Sequence, residues 1–166
     1  MTDSKEQIIY NAKRKNYKAD AFEKYLNQEG INFFRRTDVH DAYDTVVFMT
    51  GLPAGGDHQV VCAVITDNSM YTQIRIHLGT APAGKGRAAL LDFLQKLNAR
   101  ATFGKYIIDT EKNVFLDICI ISRPTTVDPY TIRFSLDLAV QLLKEGYGAL
   151  IPYLEKTSDQ SDGFEL

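Results

Sequence analysis

Four strand-like segments follow one another in the first half of this chain, and short polar turns connect the later ones. They occupy residues 31–36, 46–50, 59–66 and 70–78. A crossover between parallel strands needs about a dozen residues or more, usually a helix, and the later connections are shorter than that. The spacing therefore predicts an antiparallel meander.

The last of these segments alternates regularly along its length. The two expected faces are formed by Met70, Thr72, Ile74, Ile76 and Leu78 on one side and by Tyr71, Gln73, Arg75 and His77 on the other. Such alternation is typical of an antiparallel sheet that buries one face and leaves the other wetter.

Helical periodicity indicates three helices around these strands. The first covers residues 5–29, as one long helix or two, and ends at Gly30, which adopts the left-handed cap conformation readily. The second covers 87–101. Strands at 105–109 and 114–122 follow, and the third helix starts at Pro129 behind Asp128. Gly146 and Gly148 are expected to weaken that helix, and 149–156 to add a last turn or two.

This order predicts an α+β fold. We expect an antiparallel sheet of about six strands packed against helices, in the order α-β-β-β-β-α-β-β-α. The 166 residues favour one domain, which we place at 19–156. Residues 1–18 are expected to form a basic N-terminal helical extension, and the acidic residues 157–166 a disordered tail. The net charge of −2 argues against a strongly basic nucleic-acid binder.

The two cysteines, Cys62 and Cys119, each lie in an apolar run, and we expect both to behave as small buried hydrophobes. They form no C-x-x-C pair, which favours a reducing cytoplasmic compartment. The longest unbroken apolar run, residues 60–65, is far short of the roughly 20 residues that a membrane span needs. We therefore expect no membrane segment.

The most specific motif is the loop at residues 79–86, which satisfies the G-x-x-x-x-G-K pattern between a strand and a helix. Gly84, Lys85 and Gly86 would then face an anion at a helix N-terminus. Gly86 and Arg87 stand where a magnesium-binding Ser or Thr would follow, and the sheet is predicted antiparallel. The loop is interpreted either as a simple connection or as a nucleotide- or anion-binding site.

No pattern indicates a metal or a catalytic group. His40, His58 and His77 have no ligand partner at close spacing, and Cys62 has no neighbouring base. Asp109 is expected to cap the turn of a hairpin, and the spacing of the acidic residues there selects no acid–base pair. We therefore expect a protein without metal or cofactor that is not an enzyme.

The second half of the chain carries a recognisable arrangement. Residues 88–98, AALLDFLQKLN, lead to Gly104-Lys105-Tyr106-Ile107-Ile108-Asp109, an apolar strand and a long helix. This arrangement resembles the YbjN-like family of bacterial domains, whose fold is similar to that of type III secretion chaperones. The resemblance extends over residues 22–154, and its best-defined positions are Asn98, Gly104, Lys105, Tyr106 and Asp109. It implies an α+β domain that tends to form homodimers, and it provides no catalytic residues.

Together these observations favour a bacterial cytoplasmic homodimer that binds an unknown protein partner, in a chaperone-like or regulatory role. Phe33, Tyr71 and Tyr106 are candidate surface aromatics for such an interface, although each also fits a core position. The basic residues 13–18 are interpreted as a solvated helix face, with nucleic-acid contact as the weaker alternative.

Overall fold

The structure is a computed structural model, and it describes residues 15–155. Three α-helices, six strands and a terminal 3-10 turn make up this part of the chain. In chain order they are α1 (Tyr17–Gln28), β1 (Arg35–Asp38), β2 (Val46–Pro53), β3 (Gln59–Thr66), β4 (Tyr71–Thr80), α2 (Gly84–Arg100), β5 (Lys105–Ile108), β6 (Asn113–Ile121), α3 (Pro129–Leu150) and the 3-10 turn Ile151–Tyr153.

The six strands form one sheet in the order β1-β2-β3-β4-β6-β5. Every neighbouring pair is antiparallel, and β2, β3, β4 and β6 form the long centre between two short edges. The predicted α+β class, its antiparallel sheet and the order of its elements are confirmed.

Strict alternation divides the sheet into two faces. In β4 the side chains of Thr72, Ile74, Ile76 and Leu78 are buried, as the sequence pattern predicts. They belong to one core cluster that also contains buried side chains of all three helices, such as Leu90 of α2. The described helices therefore pack on one face of the sheet, and burial of this apolar surface is the main term that stabilises the fold.

The first described helix is capped at its N-terminus by the buried residue Asn16. The Oδ1 of Asn16 accepts a hydrogen bond from the backbone N–H of Ala19, and its Nδ2 donates to the carbonyl oxygen of Thr66 at 3.0 Å. The helix therefore starts at Tyr17, and the part of the predicted helix before residue 15 lies outside the described residues. Asn16 and Lys18 fall in the segment that we separated as an extension, yet both are buried in the domain.

Lys18 corrects the interpretation of residues 13–18 as a solvated helix face. Its ammonium group is fully buried and donates to the carbonyl oxygens of Ser69 and Tyr71, and it lies 3.8 Å from the carboxylate of Asp67. Burial lowers the pKa of this lysine, and the Asp67 charge partly opposes that shift. Lys18 fastens the first turn of α1 to the turn between β3 and β4.

The first strand starts later than predicted. Pairing with β2 begins at Arg35, not at residue 31. Ile31 and Phe34 pack against the core, and the Phe34 ring contacts that of Phe22 edge-on at 5.6 Å between centroids. The segment before β1 is therefore held by packing on α1, and the strand continues to Asp38.

The last two helices are longer than predicted. Helix α2 starts at Gly84, three residues before the expected position. Helix α3 runs unbroken through Gly146 and Gly148 to Leu150, because Leu143 and Leu150 anchor this part in the core. In addition, the Tyr147 hydroxyl donates to the carbonyl oxygen of Leu78 at 3.1 Å. No helix of residues 15–155 is long and apolar enough to span a membrane.

Candidate functional site

The face of the sheet opposite the three helices is not covered by any helix of the described chain. We call it the open face. Its side chains come from the alternate positions of all six strands: Arg35, Thr37, Val47, Met49, Pro53, Gln59, Val61, Ala63, Ile65, Tyr71, Gln73, Arg75, His77, Lys105, Ile107, Asn113, Phe115, Asp117, Cys119 and Ile121. None of the described helices covers these residues.

The middle of this face is mainly apolar, although the face is not buried, and the charged side chains other than Arg75 and Asp117 lie on the edge strands β1 and β5. Val61 is 39%, Tyr71 49% and Ile121 78% exposed. The registers place Val47 opposite Ile65, Met49 opposite Ala63 and Tyr71 opposite Ile121, so apolar residues of neighbouring strands lie side by side. The free face of an antiparallel sheet is usually polar. A contiguous exposed apolar patch of this kind marks an interaction surface.

A single ion pair lies in the middle of the open face. Arg75 on β4 donates to both carboxylate oxygens of Asp117 on β6, at 2.9 and 2.7 Å. Gln73 donates to the same carboxylate, and the Arg75 guanidinium lies 4.8 Å from the centroid of the Phe115 ring. The hydrogen bond from Arg75 to Asp117 raises the pKa of the guanidinium. The pair therefore holds the two charges together between apolar neighbours.

The 79–86 loop leads directly into α2. Gly84 and Gly86 lie in the first turn of the helix, and Lys85 is exposed between them. The N-cap residue, Ala83, makes no side-chain hydrogen bond. A Cβ on Gly79 would lie 2.9 Å from a methyl carbon of Leu154. Close packing thus accounts for Gly79 without a ligand.

A cavity of about 430 Å³ lies between α1 and β1. Arg36 dominates its lining and forms ion pairs with Asp20, Glu23 and Asp38, the closest at 2.6 Å to Glu23. Lys15 also pairs with Asp20, at 3.2 Å. These charges satisfy one another. His40 and Asp44 also line the cavity, and the Asp44 carboxylate accepts a hydrogen bond from the side-chain amide of Asn68 at 2.7 Å.

The three histidines do not form a cluster. His58 contacts the Tyr147 ring and His77 the Phe115 ring, while His40 is exposed beside β1. Residues 15–155 contain no group of three or more His, Cys, Asp or Glu side chains suited to a metal ion.

The two cysteines differ. Burial raises the pKa of the Cys62 thiol to about 12, as befits the core residue that its sequence context predicts. The expectation that Cys119 is also buried is wrong, because this residue points to the open face and is exposed.

The residues that carry the family resemblance have structural roles. Asn98, near the end of α2, binds both backbone groups of Tyr106: its Oδ1 accepts from the N–H at 2.7 Å and its Nδ2 donates to the carbonyl oxygen at 2.9 Å. Asp109 accepts hydrogen bonds from the N–H groups of Glu111 and Asn113, so the predicted turn cap is confirmed.

The candidate surface aromatics separate into two groups. Phe33 is 61% exposed and Tyr71 belongs to the open face, whereas Tyr106 is buried and occupies the core position that was its alternative. Of the basic segment, Lys15 is exposed and paired with Asp20, whereas Lys18 is inside the domain. Lys13 and Arg14 lie outside the described residues.

Sequence reasoning missed the Arg75–Asp117 pair, although Arg75 was assigned to the wetter face of its strand. The two residues are 42 positions apart and meet only because β4 and β6 are neighbours in the sheet. Comparisons of the chain with protein-family models and with curated proteins find no match.

Proposed function

We propose that this chain is a non-enzymatic protein-binding domain that acts as a homodimer, with the open faces of two copies packed against each other. The observation that carries the proposal is the apolar character of the open face, with Val61, Tyr71 and Ile121 among its exposed side chains. A dimer with two-fold symmetry uses the same patch on both subunits, so an apolar patch must be complementary to itself.

The charges on the open face support a second copy as the occupant. Two identical faces repel each other if they carry an unbalanced charge. Arg75 and Asp117 neutralise each other within one face at 2.7 Å. They therefore leave the centre of the patch free of net charge, which permits like surfaces to meet. The other charges of this face lie on its two edge strands: Arg35 is on β1, and Lys105 on β5 donates to the carbonyl oxygen of Asn98 at 3.3 Å.

The area of the open face is also consistent with a dimer interface. Four long strands and two short ones, at about 4.8 Å between strands and 3.4 Å per residue, give a flat area of roughly 700 Å² per copy. Specific stable interfaces bury about 600–1,000 Å² on each partner. A dimer through this face would therefore reach the lower part of the range for stable association.

The proposal places the domain in the bacterial cytoplasm, in a chaperone-like or regulatory role. Cys119 is a free and exposed thiol on the open face. Unpaired surface thiols are kept reduced in the cytosol, whereas oxidising compartments favour disulfides. Burial in the dimer would also protect this thiol from oxidation.

Sedimentation velocity at 1–100 µM protein tests the dimer (roughly the range in which a moderate interface dissociates). The test variant is Ile65→Glu, which puts a charge in the centre of the open face. The matched control is Leu91→Glu, at an exposed leucine of α2 on the helical side of the molecule. We expect wild type and Leu91→Glu to be dimers and Ile65→Glu to be a monomer with unchanged circular dichroism.

Two results would contradict the proposal. One is a wild-type protein that stays monomeric over the whole concentration range. The other is an Ile65→Glu dimer as tight as wild type, which would place the interface elsewhere on the molecule. Dissociation by Leu91→Glu with Ile65→Glu unaffected would assign the contact to α2 instead.

A further inference from the structure

Strand β6 is longer than its outer neighbour, so part of its edge has no described partner. Pairing between β5 and β6 ends where Lys105 lies opposite Asp117. Before Lys105 the chain turns toward the core: Gly104 is buried, and a Cβ placed on it would lie 3.0 Å from a methyl carbon of Leu116. Residues 118–121 thus continue the sheet without a strand beside them on this side.

The hydrogen-bond pattern identifies the unpaired backbone groups. On the inner side, the N–H of Ser122 donates to the carbonyl oxygen of Met70, next to β4. Residues in an antiparallel strand direct their N–H and C=O groups to alternate neighbours. Ile120 therefore bonds toward β4, while the N–H and C=O groups of Cys119 and Ile121 point outward.

Two cavities lie beside this stretch. One of about 420 Å³ is lined by Phe103, Lys105, Ile118 and Cys119, among others. The next, of about 300 Å³, is lined by residues that include Ile121 and Arg123. The free edge thus has space for side chains at both of its ends.

We propose that the free edge of β6, residues 118–121, takes up an extended peptide segment of a partner protein as a seventh strand, with acidic side chains toward its ends. Backbone pairing to an exposed sheet edge is an established mode of peptide recognition, in which flanking pockets read alternate side chains. This assignment rests on the proposed protein-binding role, but it does not depend on the dimer.

The acidic character follows from the charges around the edge. Lys105 and Arg123 lie at opposite ends of the stretch, and neither forms an ion pair with a described residue. The nearby carboxylates are already engaged: Asp117 binds Arg75, and Asp128 caps the first turn of α3. The uncompensated charge at this edge is therefore positive.

Selection of random twelve-residue displayed peptides on the full chain, followed by fluorescence anisotropy with the enriched peptides, tests this proposal. We expect apolar residues to alternate along the enriched sequences, with Asp or Glu at the ends. Ile121→Pro removes an outward N–H and leaves the bonds to β4 intact, so it should weaken binding by about tenfold or more. The matched control Ile121→Val keeps the N–H and should bind within about twofold of wild type. Lys105→Ala and Arg123→Ala should each weaken binding by about two- to fivefold at low salt.

A second measurement covers the case in which Ile121→Pro disturbs the fold. N-methylation of the peptide, one amide at a time, should abolish binding at alternate positions, because only every second amide faces β6. Equal binding to Ile121→Pro and wild type, an N-methyl scan without alternation, or no enriched peptide would each overturn the proposal. Ile65→Glu should keep peptide binding even where the dimer is lost, so the failure of one proposal is distinguishable from the failure of the other.

Discussion

Arg75 and Asp117 face each other across β4 and β6 and share two hydrogen bonds, at 2.9 and 2.7 Å, in the centre of an apolar sheet face. In a single copy this bidentate pair is only partly buried, with 36% of the Arg75 side chain and 17% of the Asp117 side chain exposed, so water still screens it. In a dimer the same pair would be removed from water, and each charge would then depend on the other. The free-energy cost of removing one partner of this pair therefore indicates whether the open face is covered.

Removal of one partner should weaken the dimer strongly. Asp117→Ala leaves Arg75 without its carboxylate, and an unpaired charge in a buried contact costs about 3–5 kcal/mol. The dissociation constant should rise by two orders of magnitude or more, measured by sedimentation. The double variant Arg75→Met/Asp117→Leu replaces the pair by apolar side chains and should dimerise about as well as wild type. An unchanged dissociation constant in Asp117→Ala would show that this face is not buried.

Lys18 should contribute strongly to stability by attaching α1 to the turn between β3 and β4. Lys18→Ala leaves the carbonyl oxygens of Ser69 and Tyr71 without their donor, and buried unsatisfied acceptors are costly. We expect the free energy of unfolding in urea to fall by about 2–4 kcal/mol. Lys15→Ala, at the exposed lysine nearby, is the control and should change it by less than about 0.5 kcal/mol. Equal effects of the two variants would contradict the role of Lys18.

The same lysine predicts a pH dependence. Burial lowers its pKa in the folded protein below the ordinary 10.5. At a pH between the lowered pKa of the folded protein and 10.5, the unfolded chain binds more protons at this site than the folded protein does. The contribution of Lys18 to stability therefore increases as the pH rises through this range. Lys18→Met lacks this group, so the stability of wild type relative to Lys18→Met should rise with pH there. A constant difference would contradict the lowered pKa.

Substitutions in the loop before α2 should change the free energy of unfolding according to how closely each glycine is packed. Gly79 has a φ of +138°, and a Cβ there would collide with Leu154, so Gly79→Ala should destabilise the protein by about 1–3 kcal/mol. Gly84 has a φ of +61° but open space around it, so Gly84→Ala should cost less, about 1 kcal/mol. Urea denaturation of both variants measures this order, and a reversed order would be inconsistent with the packing.

Ligand binding by that loop has a separate test. Lys85 is exposed and Ala83 provides no side-chain cap, so we expect millimolar ATP, GTP or phosphate to leave the melting temperature within 1 °C of its value without ligand, about the noise of such a measurement. Lys85→Ala should behave like wild type in every condition. A rise of several degrees that Lys85→Ala abolishes would restore the anion-binding interpretation of Gly84, Lys85 and Gly86.

Much of the fold was predictable because its signals are local. The alternation of Ile74 and Ile76 with Gln73 and Arg75 depends on the period of a strand alone. Asp109 capped its turn as expected, because its partners lie two and four residues away. Patterns within one element were therefore reliable guides to that element.

The errors have a common cause in contacts between distant parts of the chain. Lys18 is buried because carbonyl groups more than 50 residues away accept its hydrogen bonds. Cys119 is exposed because β5, the neighbouring strand, ends at Lys105 opposite Asp117 and does not extend alongside residue 119. The open face likewise depends on strand order, since β4 alone predicted a wet surface and its neighbours contribute apolar residues such as Ile65.

The most direct test of the account measures whether the centre of the open face is covered in solution. Ala63→Cys, in a Cys119→Ser background, places a thiol there, and Ala89→Cys in the same background places one on the exposed side of α2. The rate of reaction with a maleimide is followed as the protein concentration is raised through the monomer–dimer transition. We predict that the reaction at position 63 slows by about tenfold or more in the dimer while that at position 89 stays constant. An unchanged rate at position 63 in a fully dimeric sample would contradict the proposed interface.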